Sequence, residues 1–148
     1  MRKLAIVVSK FNEPITEKLL NGALQALNEN GIDSSNVDVY KVPGAYEIPV
    51  TLKKLTGSAA NYDGLIALGC LIKGETAHFE YICGPVSNMI TEISCDWGKP
   101  IGFGVLTCYT AEQAYERSLD NPITAERNKG YECAATVLEM IDILEKIK

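Results

Sequence analysis

Histidine occurs once in the 148 residues, tryptophan once and phenylalanine three times. One imidazole cannot build a histidine-rich metal centre. The five cysteines (Cys70, Cys83, Cys95, Cys108, Cys133) do not replace it, since no two stand closer than 12 positions. Zinc sites and thioredoxin-type chemistry need a C-x-x-C or a C/H pair at short spacing, so both are poorly supported. Each cysteine sits among apolar neighbours and reads as a small buried hydrophobe. A nucleophilic thiol needs a base nearby, and only one histidine is available to supply it.

Basic tracts are missing as well. The formal charge is −5 with a pI near 4.9, and no run of five or more cations occurs. That excludes the electrostatic footprint of a nucleic-acid binder, although a few Lys and Arg can still converge on one anion. Apolar runs stop after a handful of residues, far short of the roughly 20 that span a bilayer. Met1-Arg2-Lys3 leads straight into Leu4-Ala5-Ile6-Val7-Val8, too short for a signal-peptide core and followed by no small-residue cleavage site. These absences predict a soluble, cytoplasmic protein with neither a membrane nor a nucleic acid as partner. The length fits one domain, residues 1–148. An apolar share of 47% is ordinary for a globular chain and argues against disorder.

What is present alternates short β-branched runs with amphipathic helical segments. Leu4–Ser9 reads as a first strand, apolar throughout as a parallel strand covered on both faces should be. Pro14 can open a helix in which Leu19, Leu20, Ala23, Leu24 and Leu27 recur at helical spacing, and Asn30-Gly31 closes it. Val37–Val42 is a second strand, broken by Pro43-Gly44. A helix over about Ile48–Leu55 ends at Gly57. Leu65–Gly69 is a third strand. Phe79, Ile82, Val86, Met89, Ile90, Ile93 and Trp97 step by three and four along a long helix. Pro100 introduces a fourth strand, Ile101–Thr107. Thr110 can cap a short helix over Ala111–Arg117, Ser118–Arg127 is a loop, and the last helix runs from about Asn128 to Ile147. This order predicts an α/β fold: a three-layer αβα, flavodoxin-like parallel sheet of four strands, order 2-1-3-4, with right-handed crossovers.

Ligands of open α/β sheets bind outside the carboxyl ends of the strands. The segments expected there are Ser9–Asn12, Pro43–Glu47, Gly69–His78 and the neighbourhood of Phe103–Thr110. Gly69–His78 nearly matches the phosphate-loop pattern, but Glu75 stands where the lysine must be and would repel a polyphosphate. What survives is a turn into a helix N-terminus, with the Thr76 hydroxyl and free backbone N–H groups able to hold one small anion. His78, beside it, carries the side chain best suited to proton transfer near neutrality, although a lone histidine is often structural. Phe11 and Tyr46 follow strands, where each either stacks on a flat heterocycle or covers the end of the core. Glu47 either accepts bonds from ligand hydroxyls or merely complements a helix dipole. Arg117, Arg127 and Lys129 flank the late loop, as scattered surface charges or as a phosphate pocket.

Five segments together carry a resemblance: Phe11-Asn12, Pro43-Gly-Ala-Tyr-Glu-Ile-Pro49, Gly69-Cys-Leu-Ile-Lys-Gly-Glu-Thr-Ala-His-Phe79, Gly102-Phe-Gly-Val-Leu-Thr107 and Asn128-Lys-Gly-Tyr-Glu132. In order and over nearly the whole length, they resemble the 6,7-dimethyl-8-ribityllumazine synthase family of riboflavin biosynthesis. The resemblance implies condensation of 5-amino-6-(D-ribitylamino)uracil with 3,4-dihydroxy-2-butanone 4-phosphate, with no cofactor and no metal. It implies that Phe11 stacks on the pyrimidine and that Ala45, Tyr46 and Glu47 line the pyrimidine and ribityl pocket. Cys70, Leu71 and Ile72 would hold the ring edge through backbone groups. Glu75 and Thr76 would contact the butanone phosphate, Arg117 would pair with its phosphate and Lys129 would assist, a role Arg127 could also take. His78 would be the proton donor.

Phe103 would come from a neighbouring subunit, because sites in this family lie between protomers. The resemblance further implies a homo-oligomer built of pentamers, with riboflavin synthase a candidate partner. A short lead before the first strand and a long Arg117–Asn128 loop favour a free pentamer over the sixty-subunit shell. Three other readings compete. One is a catalytically weak member of the same family that binds lumazine or flavin as a carrier or scaffold, and a second is a flavodoxin-like regulatory or electron-transfer domain. The third, a receiver domain, fits worst because Ser9-Lys10 stands where acidic residues are required.

Overall fold

All six residues of Leu4–Ser9 are buried, and this strand, β1, lies inside a four-stranded sheet of order 2-1-3-4. The other strands are β2 (Val37–Val42), β3 (Gly64–Ile72) and β4 (Ile101–Cys108), and every pairing is parallel. The computed structural model describes residues 1–147. Alternation along each strand sends side chains to two faces. Leu4, Ile6, Val8, Ile66, Leu68 and Cys70 meet helices α1 (Glu13–Glu29) and α5 (Lys129–Lys146). Ala5, Val7, Leu65, Ala67 and Val105 meet α2 (Ile48–Thr56) and α3 (His78–Trp97). The short helix α4 (Ala111–Glu116) follows β4. The result is the three-layer α/β architecture with the strand order expected from the sequence.

Local chemistry explains most boundaries. Pro14 stands in the first turn of α1, where its missing N–H has no helical partner to lose. Thr110 and Gln113 form a reciprocal capping box on α4, and the Asn128 side chain caps α5 by accepting from the Tyr131 N–H. Gly98 ends α3 in the left-handed conformation that glycine adopts without strain.

Two expectations need correction. β3 continues three residues beyond Gly69, because Cys70, Leu71 and Ile72 keep pairing with Leu106, Thr107 and Cys108 of β4. Gly69 is therefore no break; it is a point of close packing against Ser9, Ile48 and Val105. The cysteines are not uniformly buried either. Cys95 is exposed and Cys83 half-buried, since the buried stripe of α3 is Val86, Ile90 and Ile93.

The tightest helix contact is α1 against α5. A Cβ on Gly130 would stand 2.0 Å from the Leu19 carbonyl oxygen, and one on Gly22 2.0 Å from Asn128 Oδ1. Asn128 itself is 1% exposed and fully engaged. Its Nδ2 donates to the Lys18 and Leu119 carbonyls while its Oδ1 accepts from Tyr131. It also bridges to Ser118, and the Lys129 N–H donates to the Arg117 carbonyl at 2.8 Å. The late loop thus closes on itself and sets Arg117 and Lys129 side by side.

Candidate functional site

The loops after β1 and β2 are joined by the Phe11 N–H donating to the Pro43 carbonyl at 3.1 Å. The chain then turns through Asn12, a left-handed residue at φ 63° whose Nδ2 donates to the Cys70 carbonyl at 2.9 Å. These bonds gather the ends of β1, β2 and β3. Phe11 is left 68% exposed above them, so it does not cover the core.

Pro43-Gly44 leads into a single 3-10 turn, Ala45–Glu47, that packs against β1 and β3. Ala45 is buried beneath it. The Glu47 side chain makes no capping bond to α2, although the residue stands at the cap position. Its Oε1 instead lies 3.1 Å from where a Cβ on Gly44 would be, folded back over that glycine. The Glu47 carboxylate is therefore not tied up in a cap bond to α2. Tyr46 turns the other way and lines a shallow apolar groove between α2 and α3 with Pro49, Val50, Pro85, Val86 and Met89.

Glu75, Thr76 and His78 are exposed on the connection from β3 to α3. The Thr76 hydroxyl accepts a long, 3.4 Å bond from the His78 N–H. His78 is the first residue of α3, so its imidazole stands at a helix start beside exposed backbone N–H groups. The segment is held by the Lys73 N–H donating to the Cys108 carbonyl at 2.9 Å and by the Phe79 and Tyr109 rings, 6.5 Å apart.

Cys70, Leu71 and Ile72 are the last three residues of strand β3, not part of a loop. Burial, with a smaller contribution from Cys108, pushes the Cys70 thiol up to about 12. A thiol so weakly acidic is no nucleophile near neutrality, which leaves backbone groups as what this segment can offer a ligand.

Phe103 is the second correction at the site. It lies inside β4, not past its end, and pairs in register with Ala67, three residues below the Cys70–Leu106 level. At about 3.3 Å per residue that is about 10 Å toward the amino end of the sheet. Phe103 instead lines a groove of about 460 Å³ along β4 and the start of α5, together with Arg117, Lys129, Glu132 and Thr136. Arg117 Nη1 donates to the Gln113 carbonyl, and no carboxylate pairs with its guanidinium among the described residues. Lys129 Nζ is 3.0 Å from Glu132 Oε2. Arg127 is turned away, its guanidinium donating to the Asn121 and Pro122 carbonyls.

Most of the predicted site residues fall into two groups, and Tyr46, in the groove between α2 and α3, belongs to neither. Phe11, Ala45, Glu47, Cys70 and His78 gather where strands β1, β2 and β3 end. Phe103, Arg117 and Lys129 line the groove on the edge strand. The first group offers an aromatic face, a carboxylate and a proton donor. The second offers two cations and an aromatic ring. Sequence reading missed Asn128 and Asn12 as the residues that hold these groups in place. The first could have been found as a helix-capping asparagine ahead of Lys-Gly.

No group of three or more His, Cys, Asp or Glu is placed to hold a metal ion among the described residues. No helix among them is long and apolar enough to cross a membrane. Comparison with known families matches residues 1–145 to the one described as 6,7-dimethyl-8-ribityllumazine synthase. A curated relative, the 6,7-dimethyl-8-ribityllumazine synthase of Syntrophus aciditrophicus (strain SB), is 46% identical over 145 residues. That alignment covers 98% of this chain and 91% of the relative.

Proposed function

The chain belongs to the 6,7-dimethyl-8-ribityllumazine synthase family, and from that premise we propose how its residues carry the reaction. It condenses 5-amino-6-(D-ribitylamino)uracil with 3,4-dihydroxy-2-butanone 4-phosphate to 6,7-dimethyl-8-ribityllumazine. The 5-amino nitrogen attacks the ketone carbon, and loss of water gives an imine. A proton leaves the neighbouring carbon as the terminal C–O bond breaks and inorganic phosphate departs. Elimination leaves an enol, which takes up a proton at its terminal carbon to become a methyl ketone; the ribitylamino nitrogen closes on that new carbonyl carbon, and a second water leaves.

None of these steps requires a strong nucleophile from the protein. They require two substrates held in contact, an anchored phosphate and a mobile proton. Phe11 would stack on the pyrimidine, backbone groups of Cys70, Leu71 and Ile72 would meet its edge, and Glu47 would accept from ribityl hydroxyls. Ala45 completes the wall, whereas Tyr46, facing the groove between α2 and α3, is left out of it. Glu75 and Thr76 would contact the butanone phosphate while Arg117 and Lys129 take its charge, and His78 would move the proton. Arg127 is left out of the phosphate pocket because its donors are already engaged with Asn121 and Pro122.

The observation that carries this assignment is that none of Phe11, Glu47 and His78 lines the groove of Phe103, Arg117 and Lys129. One protomer has both halves, on different parts of its surface. We infer that the site is completed between copies, Phe103, Arg117 and Lys129 of one facing Phe11 and His78 of the next. A cytoplasmic homopentamer is the assembly proposed, with riboflavin synthase as the enzyme downstream. At 16.1 kDa per chain, a pentamer has a mass of about 80 kDa.

The test is the rate at which lumazine absorbance appears with both substrates, against a protein-free blank, together with sedimentation mass. A protein-dependent rate from an assembly of five chains supports the whole reading. A rate equal to the blank overturns the residue roles, and a monomer that turns over at full rate overturns the shared site.

A further inference from the structure

The groove along β4 is lined by two cations, Arg117 and Lys129, and by a single carboxylate, Glu132. Glu132 follows Lys129 by three positions in the first turn of α5, and its Oε2 stands 3.0 Å from Lys129 Nζ. The Lys129 side chain is 41% exposed and that of Glu132 50%, so a ligand entering the groove meets the pair and not a lone ammonium. Arg117 is exposed in the same lining, with no carboxylate partner among the described residues. Two cations less one carboxylate leave the groove a net charge of +1.

A carboxylate in the first turn of a helix complements the dipole, and an ion pair three residues apart adds a little helix stability. Neither effect accounts well for an acid at this place. The start of α5 is already capped by the Asn128 side chain, which accepts from the Tyr131 N–H. A half-exposed ion pair contributes little to folding. Against those small gains, the carboxylate repels any phosphate in the groove, since a phosphate monoester carries nearly two negative charges near neutrality.

We propose that Glu132 sets the strength of the phosphate subsite, offsetting Lys129 so that the groove holds the ester loosely enough to release inorganic phosphate. This rests on the phosphate pocket proposed above and adds to it a residue that weakens binding. The groove meets phosphate twice in each turnover, first as the ester and then as the free ion. Interactions that hold both equally lower the KM without speeding the chemistry. Two uncompensated cations would therefore retain the product and gain no rate. Arg117 supplies the attraction, and the Lys129–Glu132 pair adds hydrogen-bond donors at no net charge.

Inorganic phosphate, used as a competitive inhibitor against the butanone phosphate, reads the subsite directly. In Glu132→Gln its inhibition constant falls about five-fold, and the KM for the butanone phosphate falls by a similar factor. The KM for the pyrimidine stays within about two-fold of wild type. Glu132→Asp keeps the charge and stays near wild type. The double variant Lys129→Met with Glu132→Gln restores the net charge, and its phosphate constant returns to within about two-fold of wild type. A carboxylate that merely positions Lys129, or merely complements α5, gives the opposite sign or no effect. Glu132→Gln then weakens phosphate binding or leaves it unchanged, and either result overturns the inference. The parent reading fails separately: an Arg117→Ala enzyme with an unaltered phosphate constant, or a wild-type enzyme no faster than the blank, overturns the pocket itself.

Discussion

The side-chain amide of Asn12 donates to the carbonyl of Cys70 across 58 positions of sequence, tying the loop that carries Phe11 to the end of β3. Asn12 also holds a left-handed backbone at φ 63°, which asparagine tolerates better than most residues. One residue thus sets both the direction of the turn and its attachment.

Asn12→Ala loses the bond and strains the turn, for a combined loss of about 2 kcal/mol in unfolding free energy. Asn12→Gly keeps the left-handed backbone and loses the bond, so its stability loss is smaller. Both variants release Phe11 and raise the KM for the pyrimidine substrate. Denaturant titration beside steady-state kinetics reads the two effects separately.

The three cations of the late loop are not equivalent. Arg117 has no carboxylate partner among the described residues, so Arg117→Ala raises the KM for the butanone phosphate by about 10-fold or more. Lys129 already shares its charge with Glu132, and Lys129→Ala has a smaller effect in the same direction. Arg127→Ala leaves both KM values near wild type. A large effect at Arg127 with none at Lys129 reverses the assignment.

His78→Ala lowers kcat by about 10-fold or more with little change in either KM, as removal of a proton donor should. The residual rate stays above the blank, because an amine and a ketone held together condense without a strong catalyst. A changed KM with unaltered kcat would assign His78 to binding instead.

Gly130→Ala places a methyl group 2.0 Å from the Leu19 carbonyl oxygen, where backbone must move. Gly22→Ala meets the Asn128 side chain at the same distance. Each lowers stability by about 2–3 kcal/mol by overpacking. The Gly22 variant also disturbs the anchor of Arg117 and Lys129, so it raises the KM for the butanone phosphate. Thermal melts and kinetics on both variants check the difference.

Burial holds the thiols of Cys70 and Cys133 at about 12, above their ordinary range. The folded state therefore keeps protons that the unfolded chain releases above about pH 8.5. Stability from these two groups is complete below that pH. It falls by about 1 kcal/mol per pH unit for each as pH rises toward 12. Urea midpoints between pH 8 and 10.5 decline accordingly, and less steeply in the Cys133→Ala variant. Thiol labelling at pH 8 reaches the exposed Cys95 first and leaves Cys70 and Cys133 last.

Much of the fold was legible from the chain because its periodicities report burial directly. Leu4–Ser9 is apolar at every position because helices cover both faces of the sheet, and the spacing of Leu19, Ala23 and Leu27 follows from one buried helix face. Strand order 2-1-3-4 is one of the few that a βα alternation with right-handed crossovers allows, and it is the one the sheet has. The end of β3 was misjudged because Gly69 looks like a break in one dimension, while in the sheet it is the residue that fits against Ser9.

Residue types at the site could also be named from the sequence, since an aromatic, a carboxylate, a histidine and two cations announce their chemistry. Their grouping could not. That Phe103 lies about 10 Å below the Cys70 level depends on the register of β4 against β3. That Lys129 stands with Arg117 while Arg127 turns to Asn121 and Pro122 depends on how the loop closes over Asn128. Chemistry belongs to single side chains and is written in the chain. Distance and hydrogen-bond satisfaction arise only when segments far apart in sequence are packed together.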